Sequence, residues 1–146
     1  MSLLHNTRAT FDYTILEEME VGIELLGTEV HSIRTDNGSL KGARVIVRGG
    51  EAYLIGAHIP PWQSANTSAS YDPERPRRLL LEKRHIARLA SAESEKGLTI
   101  IPIQMYNKHR YLKLRIAIVR GKKKEDKRHS IREREEKRRI DRTLKQ

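Results

Sequence analysis

From Phe11 to Leu25 every odd position but Glu17 is apolar: Phe11, Tyr13, Ile15, Met19, Val21, Ile23 and Leu25. Successive side chains of an extended chain point to opposite faces, so a period of two predicts a β-strand, here long and bent at Gly22. Further strands follow the same logic. Ala43 to Arg48 and Glu51 to Ile59 flank Gly49-Gly50, a two-residue hairpin signal. Leu98 to Tyr106 reads as a strand, Asn107 to Arg110 as its turn, and Tyr111 to Arg120 as the returning strand, with Leu112, Leu114, Ile116 and Ile118 on one face.

Helical spacing is confined to two places. Leu26, Val30 and Ile33 are spaced by four and three, with Thr28 able to cap and Asn37-Gly38 at the end. Leu79 to Ala90 carries a stripe through Leu81, Ile86, Leu89 and Ala90, and Gly97 closes a further turn. Between these, Pro60-Pro61 stops a strand, and the polar run from Gln63 to Pro76 predicts a long exposed loop. About six strands with two or three short helices make the chain mainly β. The expected fold is an antiparallel OB-like β-barrel, with a generic α+β sheet as the alternative.

Charge divides the chain. Lys and Arg number 29 against 19 Asp and Glu, a net of +10. Residues 121–146 hold 12 Lys or Arg and 6 Asp or Glu, and their only aliphatic residues are Ile131, Ile140 and Leu144. That segment cannot bury enough apolar surface to fold alone. Residues 1–120 are therefore expected to form the barrel, and residues 121–146 a basic tail that is disordered when free. Such a charge favours polyanions, nucleic acid before acidic membrane. Met1 to Thr10 has no long apolar stretch, and no run approaches 18 apolar residues, so neither a signal peptide nor a membrane span is expected.

Catalytic and metal chemistry find no foothold. There is no cysteine, and no two of the six histidines stand at metal-ligand spacing. Nucleophile-elbow, phosphate-loop and zinc-protease motifs are absent. Glu17, Glu18 and Glu20 could act as acid–base groups, but Glu18 and Glu20 fall on an outward strand face, where solvated charge is the default. A binding protein without metal or cofactor is expected, not an enzyme.

A more informative feature is the strand from Tyr111 to Arg120. Lys113 and Arg115 lie opposite its aliphatic row and about 7 Å apart, near the spacing of successive phosphates. Alone this is better read as an ordinary solvated strand face. The strand runs directly into Arg120-Gly121-Lys122-Lys123-Lys124 and then Asp126-Lys127-Arg128, a continuous basic track. Ser130 stands three residues before Glu133, a capping-box pattern, and Glu133–Lys137 and Glu135–Arg139 are favourable i,i+4 pairs. A helix that orders on RNA is the expected outcome, with a solvated nonspecific tail as the alternative.

Several blocks, in order from about Asn6 to Arg134, resemble the SmpB family of tmRNA-binding proteins. They include Asn6-Thr-Arg-Ala9, Asp12-Tyr13, Glu20-Val-Gly-Ile23 and Leu26-Gly-Thr-Glu-Val-His-Ser-Ile-Arg34. Gly50-Glu-Ala-Tyr-Leu54, His58-Ile59, Arg77-Arg-Leu-Leu-Leu81, Gly97-Leu-Thr99 and Gly121-Lys-Lys-Lys-Glu-Asp-Lys-Arg128 continue the match. The resemblance implies an OB-like barrel that binds the tRNA-like domain of tmRNA and delivers it to stalled 70S-type ribosomes. The tail would probe the empty decoding centre and mRNA channel against small-subunit rRNA, turning helical there. Positions matching the family's RNA contacts are Glu20, Leu80 and Lys113, with Asn6 and Arg8 in a polar segment on the same side; Arg34 and Arg115 are further expected tmRNA contacts. Tail positions are Gly121, Lys122, Lys123, Lys124, Asp126, Lys127, Arg128, Ile131, Arg132 and Arg134. Elongation factor Tu is an implied partner within the tmRNA complex, and the protein an implied cytoplasmic monomer without membrane contact. Two positions depart from the family pattern: Glu125 stands where His or an aromatic is usual, and His31 where Lys is usual. A structural ribosomal protein that binds rRNA constitutively is the competing reading.

Overall fold

A computed structural model describes residues 2–62 and 69–122, together with Arg132, Arg134, Glu135, Lys137, Arg138 and Arg139 of the tail. Seven strands form one antiparallel sheet. They are β1 (Ser2–His5), β2 (Tyr13–Ile23), β3 (Arg44–Arg48), β4 (Glu51–Ile55), β5 (Arg77–Leu80), β6 (Leu98–Lys108) and β7 (Tyr111–Gly121). Three helices lie wholly among the described residues: α1 (Ala9–Asp12), α2 (Gly27–Arg34) and α3 (Lys83–Ser94). Strand order is β1-β6-β7-β2-β5-β4-β3, and β3 also lies against β6. The sheet thus curls into an OB-like barrel without being hydrogen-bonded shut. The mainly β, OB-like expectation holds, with one strand more than the sequence suggested.

Strand β7 is regular, and its neighbours are not. Leu112, Leu114, Ile116 and Ile118 point into the main core, with Val21, Ile33, Leu54, Leu79, Leu89, Ile100 and Met105. On its other face, Ala117 and Val119 form a smaller cluster with Ala9, Ile101 and Ile103, against which Tyr13 and Ile15 pack. Strand β2 shifts register against β7 between Ile15 and Glu17, and β6 shifts between Pro102 and Gln104. An extra residue in one strand of a pair reverses the side-chain alternation beyond it. This explains the interruption at Glu17. Tyr13 and Ile15 serve the smaller cluster, whereas Met19, Val21 and Ile23 serve the main core.

Other differences have local causes. Phe11 belongs to α1 and not to the long strand. The helical stripe expected from Leu79 is split, because Arg77–Leu80 pairs with β2 and β4 before α3 begins at Lys83. Helix α2 starts with Leu26 as its cap residue, and Thr28 lies inside it; the Leu26 N–H donates to Glu29 Oε1 at 2.8 Å. The Gly49-Gly50 turn is as expected, with φ of 59° and 77°, a left-handed pair that glycine adopts without a Cβ clash.

The segment before β5 is not the simple exposed loop expected. Glu29 and Arg77 are fully buried, at 1% and 0% exposure. The Glu29 carboxylate accepts from Arg75 Nη2 at 2.5 Å, Arg77 Nε at 2.8 Å and Tyr71 Oη at 3.0 Å. Arg77 also donates to the carbonyls of Ala57 at 3.0 Å and Pro73 at 2.9 Å. These bonds fasten residues 71–77 to α2, and so fix the entry into β5.

Candidate RNA interface

Antiparallel partners share a face, so the register alone assembles the site. Leu80 pairs with Gly22, Gly22 with Lys113, and Lys113 with Tyr106. These four residues form one row across β5, β2, β7 and β6. The adjacent row is Glu20, Arg115, Gln104 and His5, across β2, β7, β6 and β1. Both rows lie on the outward face of β7, on the side opposite Leu112 and Leu114. The lower part of that face is the small apolar cluster covered by Ala9; among the described residues the upper part is left open. Leu80 is 47% exposed there, although its helical-looking context would bury it. Gly22 is what lets Leu80 lie flat in the row, since a Cβ at residue 22 would sit 3.1 Å from the Leu80 Cβ.

Glu20 would repel RNA phosphates were its charge not balanced. The Tyr106 hydroxyl donates to Glu20 Oε2, and Lys108 Nζ lies 3.0 Å from Oε1. The bond from Tyr106, followed by that from Lys108, holds the Glu20 carboxyl below its ordinary value. Burial, then the bond to Glu20, raises the Tyr106 hydroxyl. Arg115 places its guanidinium 5.6 Å from the centre of the Tyr106 ring. The result is an outward row in which Leu80 and the Tyr106 ring lie to either side of Gly22 and Lys113, beside Arg115 and one oriented carboxylate. Lys113 suits a phosphate, Glu20 a ribose hydroxyl or base amino group, and Leu80 and Tyr106 the face of a base.

The structure gathers Glu20, Leu80, Lys113 and Arg115, but the other expected contacts stand apart. Asn6 is 9% exposed; its N–H donates to the Ile103 carbonyl at 2.8 Å and its side-chain amide to Pro102 at 3.0 Å. It anchors the chain over the β6 irregularity. Arg8 lies over the Phe11 ring at 4.5 Å and pairs with Asp12 at 3.5 Å. With Lys41 and Arg44 it lines a cleft of 780 Å³. Arg34 donates to the Arg110 carbonyl at 3.1 Å, tying α2 to the turn between β6 and β7. Tyr106, Lys108 and Gln104 were not singled out in the sequence, although period-two alternation from Lys113 and Arg115 across the hairpin turn would have flagged them.

The start of the tail is tied to the body. Gly121 ends β7, the Lys122 N–H donates to the Asp12 carbonyl at 2.9 Å, and Lys122 Nζ donates to the Thr10 carbonyl at 2.7 Å. Arg132 and Arg134 are helical and exposed. Arg134 Nη2 reaches Thr10 Oγ1 at 3.3 Å and lies 5.7 Å from the Phe11 ring centre. Lys123, Lys124, Asp126, Lys127, Arg128, Ile131 and the Ser130–Glu133 capping box lie outside the described residues. Among the described residues no helix is long and apolar enough to cross a membrane, and no three His, Asp or Glu converge as a metal site.

Comparison with known proteins points one way. The family model described as SmpB protein matches residues 3–146. The SsrA-binding protein of Thermosynechococcus vestitus is 43% identical over 144 residues, covering 99% of this chain and 95% of that protein. That of Lactobacillus helveticus is 46% identical over 138 residues, covering 94% and 90%. A solved structure described as "tmRNA-SmpB: a journey to the center of the bacterial ribosome" superposes with a TM-score of 0.69 at 39% identity, covering 88% of this chain and 93% of that one. A match along the whole chain in sequence, joined to the same fold, has one consequence: this chain belongs to the SmpB family.

Proposed function

We propose that the protein binds the tRNA-like domain of tmRNA through the open outward face of β7 and brings it to stalled ribosomes for rescue and peptide tagging. The observation that carries this is the row Leu80, Gly22, Lys113 and Tyr106 beside Glu20 and Arg115, an uncovered strip with apolar and cationic groups in fixed register. RNA loops with splayed bases need that combination, because phosphates are met by cations while unstacked bases seek flat apolar surface. The protein acts by binding and positioning RNA. Its basic tail, from Gly121 onward, is the segment that enters the decoding centre and mRNA channel against small-subunit rRNA, and elongation factor Tu joins through the aminoacylated RNA. The helical residues Arg132, Arg134, Glu135, Lys137, Arg138 and Arg139 and the run of cations before them support that role.

Affinity purification at moderate salt, followed by sequencing of the retained RNA, tests the reading. tmRNA should dominate the eluate. Stoichiometric recovery on unstalled ribosomes, without tmRNA, would favour the constitutive ribosomal protein instead.

A further inference from the structure

We infer that His31 and Trp62 form a second contact for the bound RNA, a stacking platform that takes one unstacked base. The two rings are stacked with centroids 5.8 Å apart and planes 23° from parallel. His31 is exposed and Trp62 half-buried, so the pair is not part of either core cluster.

The pair is held from several sides. Ser32, the residue after His31, donates its hydroxyl to the Pro60 carbonyl at 2.7 Å. Pro60 and Pro61 restrict the backbone leading to Trp62. The Ile59 carbonyl accepts from Tyr71 Oη at 2.8 Å, which joins this segment to the buried Glu29–Arg77 network. Fixing aromatic rings in advance lowers the ordering cost when a base stacks on them.

The platform is continuous with the open face of β7. Glu20 is bonded to Lys108, at the end of β6. Two residues on, Arg110 offers its carbonyl to Arg34, which lies one helical turn after His31 on the same side of α2. Arg34 and Arg110 are exposed, and Arg34 stands one helical turn from His31, so a base on the rings would have a cation near its phosphates. That charge favours RNA, and the geometry favours a base already outside a helix, since bases within a duplex are occupied by their neighbours. Given the tmRNA-binding role proposed above, on which this rests, the base belongs to a loop or bulge of the tRNA-like domain.

Trp62 is the sole tryptophan of the chain, which makes its fluorescence a direct report. The full-length protein is titrated with a tRNA-like-domain transcript, with gel shifts in parallel. Trp62 emission should be quenched, saturating at the RNA concentration that saturates the gel shift. Trp62→Ala should bind about tenfold more weakly, ~1.4 kcal/mol. Trp62→Phe, which keeps a stacking ring, should stay within about threefold. Neither variant should alter the salt slope, because no phosphate contact is lost. Unquenched emission in a complex that forms normally, with Trp62→Ala and His31→Ala binding as wild type, overturns the platform and leaves the RNA-binding role standing. Absence of any gel shift with wild-type protein overturns both.

Discussion

Glu29→Ala should be among the most destabilising single changes in the body of the protein. Glu29 and Arg77 are each 0% exposed at the side chain, with Nη2 and Oε2 2.7 Å apart. Removing the carboxylate leaves the Arg77 guanidinium buried and still bonded only to carbonyls and Tyr71. Breaking one partner of such a pair costs about 3–5 kcal/mol, against about 0–1 kcal/mol for an exposed pair. For a chain of this size, ~1 kcal/mol moves the midpoint by about 2–4 °C, so a fall of roughly 6–20 °C is expected. Thermal and urea denaturation followed by circular dichroism measure it. Glu29→Gln keeps an acceptor without the charge and should fall between. Acid adds a second readout. Burial would raise the Glu29 carboxyl, but the bonds from Arg75 and the Leu26 N–H and the nearby Arg77 charge outweigh it, leaving the group below its ordinary 4.5. A depressed carboxyl contributes stability that is complete above pH 4.5 and is lost as pH falls through the folded-state value. The gap between wild type and Glu29→Gln should therefore narrow in that acid range. A loss under about 1 kcal/mol, or a gap unaffected by acid, would show that the buried Glu29–Arg77 pair does not hold the fold in this way.

Three further outcomes concern the RNA. Lys113→Ala should weaken tmRNA binding and lower the log–log salt slope by about 0.7–0.9, one phosphate contact, as read by filter binding across a salt series. Tyr106→Phe removes the donor to Glu20 while keeping the ring beside Arg115, and should cost about 1 kcal/mol in RNA affinity; additivity with Glu20→Gln in a double-mutant cycle would show that Tyr106 does not act through Glu20. Deleting residues 123–146 should leave tmRNA gel shifts within about twofold but abolish tagging in a stalled-ribosome reaction; loss of both together would make the tail part of the primary RNA site.

Strand β7 was legible because it is regular: Leu112 to Ile118 alternate without interruption, so Lys113 and Arg115 fell on the correct face. The irregularities in β2 and β6 were harder. Glu17 marked the first as a broken alternation, but nothing local says that such a break reverses the face. Strand β5 was hidden because Leu79, Leu81 and Ile86 also fit a helical stripe, and only pairing with Gly22 and Ile23 decides between them. That same pairing exposes Leu80. The Glu29–Arg75–Arg77 network was invisible for a different reason. Charged residues in a polar run read as solvated, and their burial depends on Tyr71, Ala57 and Pro73 meeting them in space. The His31–Trp62 stack likewise joins residues 31 positions apart.

The face bearing Leu80, Lys113, Glu20 and Tyr106 is proposed to recognise the tRNA-like domain of tmRNA. Competition binding at physiological salt tests it most directly, with labelled tRNA-like domain displaced by unlabelled tRNA-like domain or by elongator tRNA. The wild-type protein should prefer the tRNA-like domain by at least about tenfold, ~1.4 kcal/mol, and Leu80→Asp should remove most of that preference. Equal displacement by elongator tRNA, or a preference that survives Leu80→Asp unchanged, would contradict it.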